Sequence, residues 1–219
     1  MLLLSSLVVH GLASSALRAT AWELHGQGKM MEAIQHMKAA VSEADVLQTA
    51  RAPNDIAPRF DLACMWEDIG YLDEAEAGFS SLSSEHGQWK TYLANVLHDG
   101  RGQRQEALTL YRQACTATQN YIHEPKLLRQ HSNAQYGRGV CAESLGLVDE
   151  AAACQRKVLE LEPEDKSAAF HLLVNTERRL GGKCSEMRTQ LKDLLPQYRL
   201  DSWDYVRRKD VGRGASTHY

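Results

Sequence analysis

Gly146-Leu-Val-Asp-Glu150-Ala151 is one of four copies of a single short phrase in this chain of 219 residues. The other copies are Gly28-Lys-Met-Met-Glu32-Ala33, Gly70-Tyr-Leu-Asp-Glu74-Ala75 and Gly102-Gln-Arg-Gln-Glu106-Ala107. The alanines of successive copies stand 42, 32 and 44 residues apart. Periods in this range predict helical hairpins that stack into a solenoid and present surfaces.

Each part of the phrase has a physical role in a helical hairpin. The glycine can end one helix in the left-handed conformation at little cost. The glutamate then lies in the first turn of the next helix, where its charge meets the positive end of the helix dipole. The alanine lets two helices approach closely, and so should the mostly small residue seven positions before each glycine: Ala21, Ala63, Asn95 and Gly139. The fourth residue after each alanine shares its helix face and is apolar except in the last copy: Met37, Phe79, Tyr111 and Gln155.

The phrase and its surroundings resemble the tetratricopeptide repeat, a helix-turn-helix unit of about 34 residues. The four alanines fit the family pattern, and Pro163 stands where the family's closing proline would end the fourth unit. The family's first-helix tryptophan is missing at its expected place, and the units with spacings of 42 and 44 resemble the longer repeats of kinesin light chains. The resemblance covers residues 15 to 195 and implies an all-α solenoid of about five stacked hairpins.

We predict five helix pairs, at 12–26 with 29–47, 56–69 with 72–84, 88–99 with 103–119, 130–145 with 148–161, and 164–180 with 184–195. The fifth pair lacks the Glu-Ala phrase and is expected to be a more polar cap. The chain then divides into an N-terminal apolar helix or targeting remnant (1–14), a repeat domain (15–195) and an aromatic and basic tail (196–219).

Composition narrows the class of protein. Hydrophobic residues make up 43% of the chain, too many for a disordered protein, and a formal net charge of -3 does not favour a nucleic-acid surface. The five cysteines are odd in number and form no Cys-x-x-Cys pair, so we expect free thiols in helix packing and an intracellular, reducing compartment. The histidines form no His-x-x-x-His pair, and we predict neither a metal nor a cofactor.

Residues 2–9, Leu-Leu-Leu-Ser-Ser-Leu-Val-Val, form an apolar run. The run resembles the core of a signal peptide, but it lacks a basic leader and is too short to span a bilayer. We favour a helix packed on the first repeat, with a targeting remnant or a membrane-contacting helix as the alternatives.

In this family the first helix of each hairpin lines the concave groove, and the register places an aromatic residue and an acid on that helix in four successive units. The aromatic stands fifteen residues before the repeat alanine and the acid eight before it. The fifth unit has no such alanine and continues the series by its internal spacing. The candidate groove residues are Phe60, Glu67, Tyr92, Asp99, Tyr136, Glu143, Phe170 and Glu177. The first unit differs, with Arg18, Trp22 and His25.

One interpretation is a groove for an apolar and basic peptide segment, because aromatic faces bind cations and the acids would steer basic residues. The other is that the aromatics are core between repeats and the acids a solvated face. The family's carboxylate clamp for acidic chaperone tails does not fit, since Trp22 and Asp61 stand where asparagines are expected.

No catalytic constellation can be placed from the sequence, and solenoid helices rarely enclose one. We therefore predict a non-catalytic scaffold or adaptor, an accessory or structural subunit of a larger assembly whose partners are other proteins. Two alternatives stay open, namely the interaction region of an enzyme whose catalytic domain follows Tyr219, and a membrane-associated assembly factor. Trp203 and Tyr205 in the tail are expected to dock rather than stay in water.

Overall fold

A computed structural model describes residues 2–49, 56–85, 87–121, 125–163 and 165–179. Over these ranges the chain forms helices and turns and contains no strand, which confirms the predicted all-α fold. The chain divides into two compact units, unit one (Met1–Glu85) and unit two (His86–Tyr219).

Unit one consists of two helical hairpins. Helix α1 (Leu2–Gly26) pairs with α2 (Met30–Thr49), and α3 (Ala57–Asp68) pairs with α4 (Leu72–Glu85). Helix α2 also packs against α3, so the two hairpins stack.

Unit two also consists of paired helices, but its first arm is divided into three short helical segments. A 3-10 turn (Gly87–Trp89), α5 (Lys90–Asn95) and a π-helical turn (Val96–Gly100) form its first helical arm, which pairs with α6 (Arg104–Thr118). A second 3-10 turn (Gln119–Tyr121) precedes α7 (Pro125–Ser144), which packs against α6 and pairs with α8 (Val148–Leu161). Helix α9 (Lys166–Arg179) packs against α8.

The hairpin turns follow the repeated phrase. All four phrase glycines are in the left-handed region, with φ between 68° and 79°. In the first hairpin Gly28 N–H donates to the His25 carbonyl at 2.9 Å and Lys29 N–H to the Leu24 carbonyl at 3.0 Å, which satisfies carbonyls that the end of α1 would leave open. The predicted role of these glycines is thus confirmed.

The repeat alanines lie in the packed interior of the hairpins. All four are fully buried: Ala33, Ala75, Ala107 and Ala151. Close approach is also seen between α3 and α4, where a Cβ added at Gly78 would stand 2.8 Å from the Ala63 Cβ. The phrase therefore marks where two helices of a hairpin touch.

Two helices begin earlier than predicted. Helix α7 starts at Pro125 rather than at residue 130, because proline is favoured in the first helical turn. Helix α1 starts at Leu2 rather than at residue 12, so the apolar run is the beginning of α1 and not a separate helix. A single glycine inside a helix, here Gly11, costs only about 1 kcal/mol, so the helix can continue through it. Ser14 Oγ donates a hydrogen bond to the Ala40 carbonyl at 3.0 Å, which holds this part of α1 against α2. The division at residues 14 and 15 falls inside α1, and the domain boundaries stay a prediction.

In the third hairpin, formed by α5 and α6, the turn before the phrase contains one residue more than it does in the other three hairpins. In the other hairpins the residue after the glycine bonds a carbonyl five residues earlier, as Tyr71 N–H does to Trp66 at 2.9 Å. In the third, Gln103 N–H reaches the Leu97 carbonyl six residues earlier, at 2.7 Å. The π turn holds the extra residue. Ala94, fully buried, therefore takes the close-contact place that the spacing assigned to Asn95, and that assignment is wrong.

Four cysteines are buried and unpaired: Cys64, Cys115, Cys141 and Cys154. Their predicted role as small packing residues is confirmed, and Cys184 lies outside the described residues. Burial raises the pKa of each thiol, to about 12 for Cys115 and about 11 for Cys141 and Cys154. Within the ranges that the structure describes, no helix has both the length and the apolar character needed to cross a membrane.

Candidate functional site

In unit one the first helices α1 and α3 are joined by polar contacts around a buried acid. Asp61 of α3 is only 4% exposed. It pairs with the Arg18 guanidinium of α1 and accepts a hydrogen bond from Trp22 Nε1 at 3.0 Å. One turn further along α1, His25 Nε2 lies 3.0 Å from an oxygen of Asp68. Among the three residues of the first unit, Arg18, Trp22 and His25, only Arg18 is a permanent cation. Its charge is neutralised within the chain by Asp61.

The other predicted residues of unit one lie beside this cluster on α3. Phe60 is half-buried, and its ring meets the buried ring of Phe79 edge to face at 5.9 Å between centroids. Glu67 is half-buried in the last turn of α3. Phe60 therefore contributes both to the hairpin core and to the partly open face.

In unit two the π turn changes which residues occupy the positions equivalent to Phe60 and Glu67 of α3. Counted from the hydrogen bonds of the turn, Thr91 rather than Tyr92 takes the position of Phe60. Tyr92 lies one position further on, half-buried, with its ring 5.8 Å from that of Trp89. The regular aromatic ladder of the sequence register is thus interrupted at α5.

The π turn also carries His98, a polar residue that the sequence register did not single out. The side chain of Asp99 is 60% exposed and lies 2.6 Å from His98 Nδ1. The other nitrogen of that ring lies 3.5 Å from the Ser144 hydroxyl of α7. By the shifted register His98, and not Asp99, corresponds to Glu67 and Glu143. The acidic stripe therefore contains a histidine at this point.

Helices α7 and α9 are joined through Glu143. Its side chain is 9% exposed and accepts a hydrogen bond from Asn175 Nδ2 at 2.9 Å, while His171 Nδ1 lies 2.8 Å from the same oxygen. The ring of Tyr136, a half-buried residue of α7, meets the His171 ring edge to face at 5.8 Å. Glu143 thus binds within the chain, and Tyr136 borders that contact.

The remaining predicted residues are not placed in detail. Phe170 and Glu177 belong to α9, but their side chains are outside the described part of the chain. Trp203 and Tyr205 also lie outside the described residues. Where side chains are described, no group of three His, Cys, Asp or Glu residues is placed to hold a metal ion.

A second polar cluster in unit two was missed by the sequence register. Glu150, the glutamate of the fourth phrase, accepts two hydrogen bonds from Arg112 of α6, at 2.9 and 2.5 Å, and further contacts from Arg138 of α7 at 2.7 and 2.8 Å. The bonds from Arg112, and then those from Arg138, lower the pKa of the Glu150 carboxyl. The cluster joins three helices, α6, α7 and α8. The sequence signal for it was present in the phrase itself, but nothing pointed to the two arginines.

Comparisons with known proteins agree with this architecture. The family model described as the tetratricopeptide repeat matches residues 132–165, which span most of α7 and all of α8. This chain contains a tetratricopeptide repeat and has the tetratricopeptide-repeat fold. The predicted likeness to the tetratricopeptide repeat is confirmed, by the family model over residues 132–165 and by the shared fold of the solved structures. The likeness of its longer units to kinesin light chains stays a prediction.

Solved structures show the same fold at low sequence identity. MamA (residues 41 to the end) from Desulfovibrio magneticus RS-1 is 18% identical with a TM-score of 0.64, covering 87% of this chain and 98% of that one. YrrB, described as a tetratricopeptide-repeat protein with an unusual peptide-binding site, is 18% identical with a TM-score of 0.59, covering 88% and 90%. TTC0263 from Thermus thermophilus is 17% identical with a TM-score of 0.57, covering 91% and 98%. A search of the curated proteins finds no significant match.

Proposed function

We propose that this protein is a non-catalytic scaffold or adaptor that binds other proteins as an accessory or structural subunit of a larger assembly. Solenoids of stacked hairpins offer extended surfaces, and their function is set by what binds there. The polar clusters of the described helices, around Asp61, Glu143 and Glu150, all join one helix to another. Such clusters fix the shape of a surface and leave the exposed groups beside them for a partner.

The observation that carries the proposal is the face of the first helices in unit two. Its residues are the half-buried ring of Tyr136 on α7 and, displaced by one residue on the preceding arm, the half-buried ring of Tyr92 and the exposed carboxylate of Asp99. Rigid aromatic side chains give contact area at low cost in conformational entropy. The partner that fits is an apolar and basic peptide segment, whose cation Asp99 would steer. YrrB, which shares the fold, is described as having a peptide-binding site, and this supports the proposal.

The proposed face in unit two uses the tyrosines and Asp99 rather than Glu143, whose carboxylate is engaged with Asn175. Phe60 and Glu67 would form the corresponding face of unit one, and Phe170 and Glu177 extend the set by sequence. The four buried free thiols are compatible with a reducing, intracellular compartment.

The test is binding of the partner that co-purifies with the full chain from its native source. Tyr136→Ala should weaken binding about tenfold, because truncating a well-packed interface tyrosine removes a large share of the contact. Asp99→Asn should slow association and reduce its dependence on salt. Glu160→Gln is the matched control, since Glu160 is exposed on the second helix α8. If both variants bind like the control at low salt, this face is not the binding site.

A further inference from the structure

The tail (196–219), which lies outside the described residues, differs in charge from the rest of the chain. It contains five basic and three acidic residues, a formal charge of +2, and because the whole chain carries -3, residues 1–195 carry -5. Three of its basic residues follow Trp203 and Tyr205 in one run, Arg207-Arg208-Lys209. An apolar and basic segment is the chemistry that the proposed face of unit two favours, and this chain contains such a segment itself.

The accessible residues of α7 form a stripe that begins with a positive charge. Arg129 and Asn133 are exposed, and Tyr136 and Val140 are half-buried. These four residues recur at intervals of three and four, so they share one side of the helix. The proposed face therefore has a cation at the beginning of α7 and an aromatic ring one third to one half of the way along it.

The exposed acid of the face lies near the other end of α7. Ser144 is the last residue of this helix, and its hydroxyl lies 3.5 Å from the ring of His98 in the π turn. The same ring lies 2.6 Å from the carboxylate of Asp99. From Arg129 to Ser144 the helix rises about 22 Å at about 1.5 Å per residue. The face is thus positive at one end and negative at the other.

The tail has the opposite order of charges over a similar length. An extended segment advances about 3.3 Å per residue, so the six steps from Asp201 to Arg207 cover about 20 Å. Successive side chains of an extended segment point to opposite sides, so all odd-numbered residues of this stretch share one side. That side carries, in order, Asp201, Trp203, Tyr205 and Arg207. An acid, two aromatic rings and a base therefore recur at the spacing that the face requires.

We propose that the tail of this chain occupies the proposed face of unit two when no partner is bound there. Asp201 pairs with Arg129 at the beginning of α7, and Arg207 pairs with Asp99 at the other end. Trp203 and Tyr205 then lie on either side of the Tyr136 ring, where aromatic contacts add to the two ion pairs.

The chain between α9 and the tail is long enough for this path. Helix α9 packs on α8 and contacts α7. Short connections make successive helices antiparallel, so α9 runs parallel to α7, and the helix predicted at 184–195 would return the chain to the edge where α7 begins. From Leu195 to Asp201 the chain reaches up to about 20 Å, which is about two spacings between packed helices of about 10 Å each.

This inference rests on the proposed function, because it gives the partner-binding face an internal competitor. A tethered segment is present at an effective concentration of about 1 mM. If the tail binds the face with a dissociation constant of about 0.1 mM, the face is closed about ten times as often as it is open. A partner would then bind about tenfold more weakly than it binds to an open face.

The test is hydrogen exchange of the full chain, measured by mass spectrometry at low salt and without a partner. The amides of residues 201–207 should exchange about tenfold more slowly than those of a synthetic peptide of residues 196–219. Asp99→Arg and Arg207→Glu, each alone, should speed this exchange several-fold, because like charges then meet. Combining the two changes should restore slow exchange, since the pair attracts again with its signs reversed.

Glu160→Arg is the matched control for Asp99→Arg, because it reverses the charge of an exposed acid on the second helix α8. It should leave the exchange of the tail unchanged. Asp99 and Glu160 are both exposed, so circular dichroism should show the helix content of the wild type for both variants.

Three outcomes would overturn the proposal. The first is a tail that exchanges as fast as the free peptide. The second is slow exchange that Asp99→Arg and Glu160→Arg affect equally, which would place the docked tail elsewhere. The third is slow exchange that appears only between about 1 and about 100 μM protein and together with a doubled molar mass, which would mean that the tail binds a second copy.

The proposed function is tested separately, by binding of the co-purified partner to Tyr136→Ala. A freely exchanging tail in a protein whose partner binding Tyr136→Ala still weakens would remove the internal competitor and leave the binding face in place. Partner binding that Tyr136→Ala and Asp99→Asn leave unchanged would reject the face itself, whatever the tail does.

Discussion

Replacing Gln155 with methionine should stabilise this protein. The residue four positions after the repeat alanine is apolar in three hairpins, as Met37 is in the first, and Gln155 is the polar exception. Gln155 is fully buried, and among the residues that the structure describes neither its amide nitrogen nor its amide oxygen has a hydrogen-bond partner. Gly139 of α7 makes room for it, since a Cβ there would stand 2.5 Å from Gln155 Nε2.

The expected gain follows from the cost of that amide. Burying a polar amide without a hydrogen bond costs about 1 to 3 kcal/mol on the scale of protein mutations. Methionine is unbranched, similar in volume and flexible enough to fill the same space. Gln155→Met should therefore raise the free energy of unfolding by about 1 to 3 kcal/mol. In a chain of this length that corresponds to a rise in melting temperature of about 2 to 12 °C.

The measurement is urea unfolding followed by circular dichroism, with the free energy obtained by linear extrapolation. Met37→Gln is the reciprocal control, because Met37 occupies the same register position and is fully buried. It should lower stability by about 2 kcal/mol or more, since it loses apolar packing and gains an unpaired amide. A Gln155→Met protein no more stable than the wild type would refute the reasoning, and would mean that a group such as an ordered water satisfies the amide.

Four further results are expected. Ala107→Glu should lower the free energy of unfolding by about 3 kcal/mol or more, because it puts a charge into a fully buried contact; an unchanged melting temperature would contradict the repeat register. Glu150→Gln should destabilise the protein at neutral pH and match the wild type in strong acid. The folded-state pKa of Glu150 is lowered, so its stabilisation is lost as the pH falls through that value; a pH-independent difference between the two proteins would argue against the ion pairs. Buried thiols with raised pKa values should resist a thiol reagent in the native state, as seen by peptide mapping; rapid labelling would show that these helices open. The protected residues are Cys64, Cys115, Cys141 and Cys154. Truncation after Leu195 should cost about 1 to 3 kcal/mol if Trp203 and Tyr205 dock on the repeats, whereas unchanged stability with loss from the complex would make the tail a docking arm.

The hairpins could be predicted from the sequence because their information is local. A phrase glycine fixes the turn, the glutamate lies in the first helical turn, and the alanine lies at the contact between helices. Each of these depends on neighbours a few residues away. The end at Gly26 of α1 and both bounds of α8 matched for that reason. The beginning of α7 at Pro125 was missed because a proline can either break a helix or start one.

The polar contacts of the site could be predicted less well because they join distant parts of the chain. Asp61 was noted only as a residue that does not fit the carboxylate clamp, yet it is the buried acceptor for Arg18 and Trp22. Glu143 was assigned to a groove, and the structure shows it bonded to Asn175. In both cases the partner lies at least 32 residues away, and the register specifies a helix face without specifying what lies opposite.

The π turn shows where register arguments fail on this fold. Counting back from Ala107 assumes that every helical arm meets its turn after the same number of residues. One extra residue in Val96–Gly100 shifts everything before it by about 100°, so Ala94 packs where Asn95 was expected. Neither residue type reveals the shift, because alanine and asparagine are both small enough to be assigned to a close contact. The pattern of apolar residues on α5 is also too short to decide between the two registers. Only the hydrogen bonds of the turn fix the register of α5, and with it the place of Tyr92 on the proposed binding face.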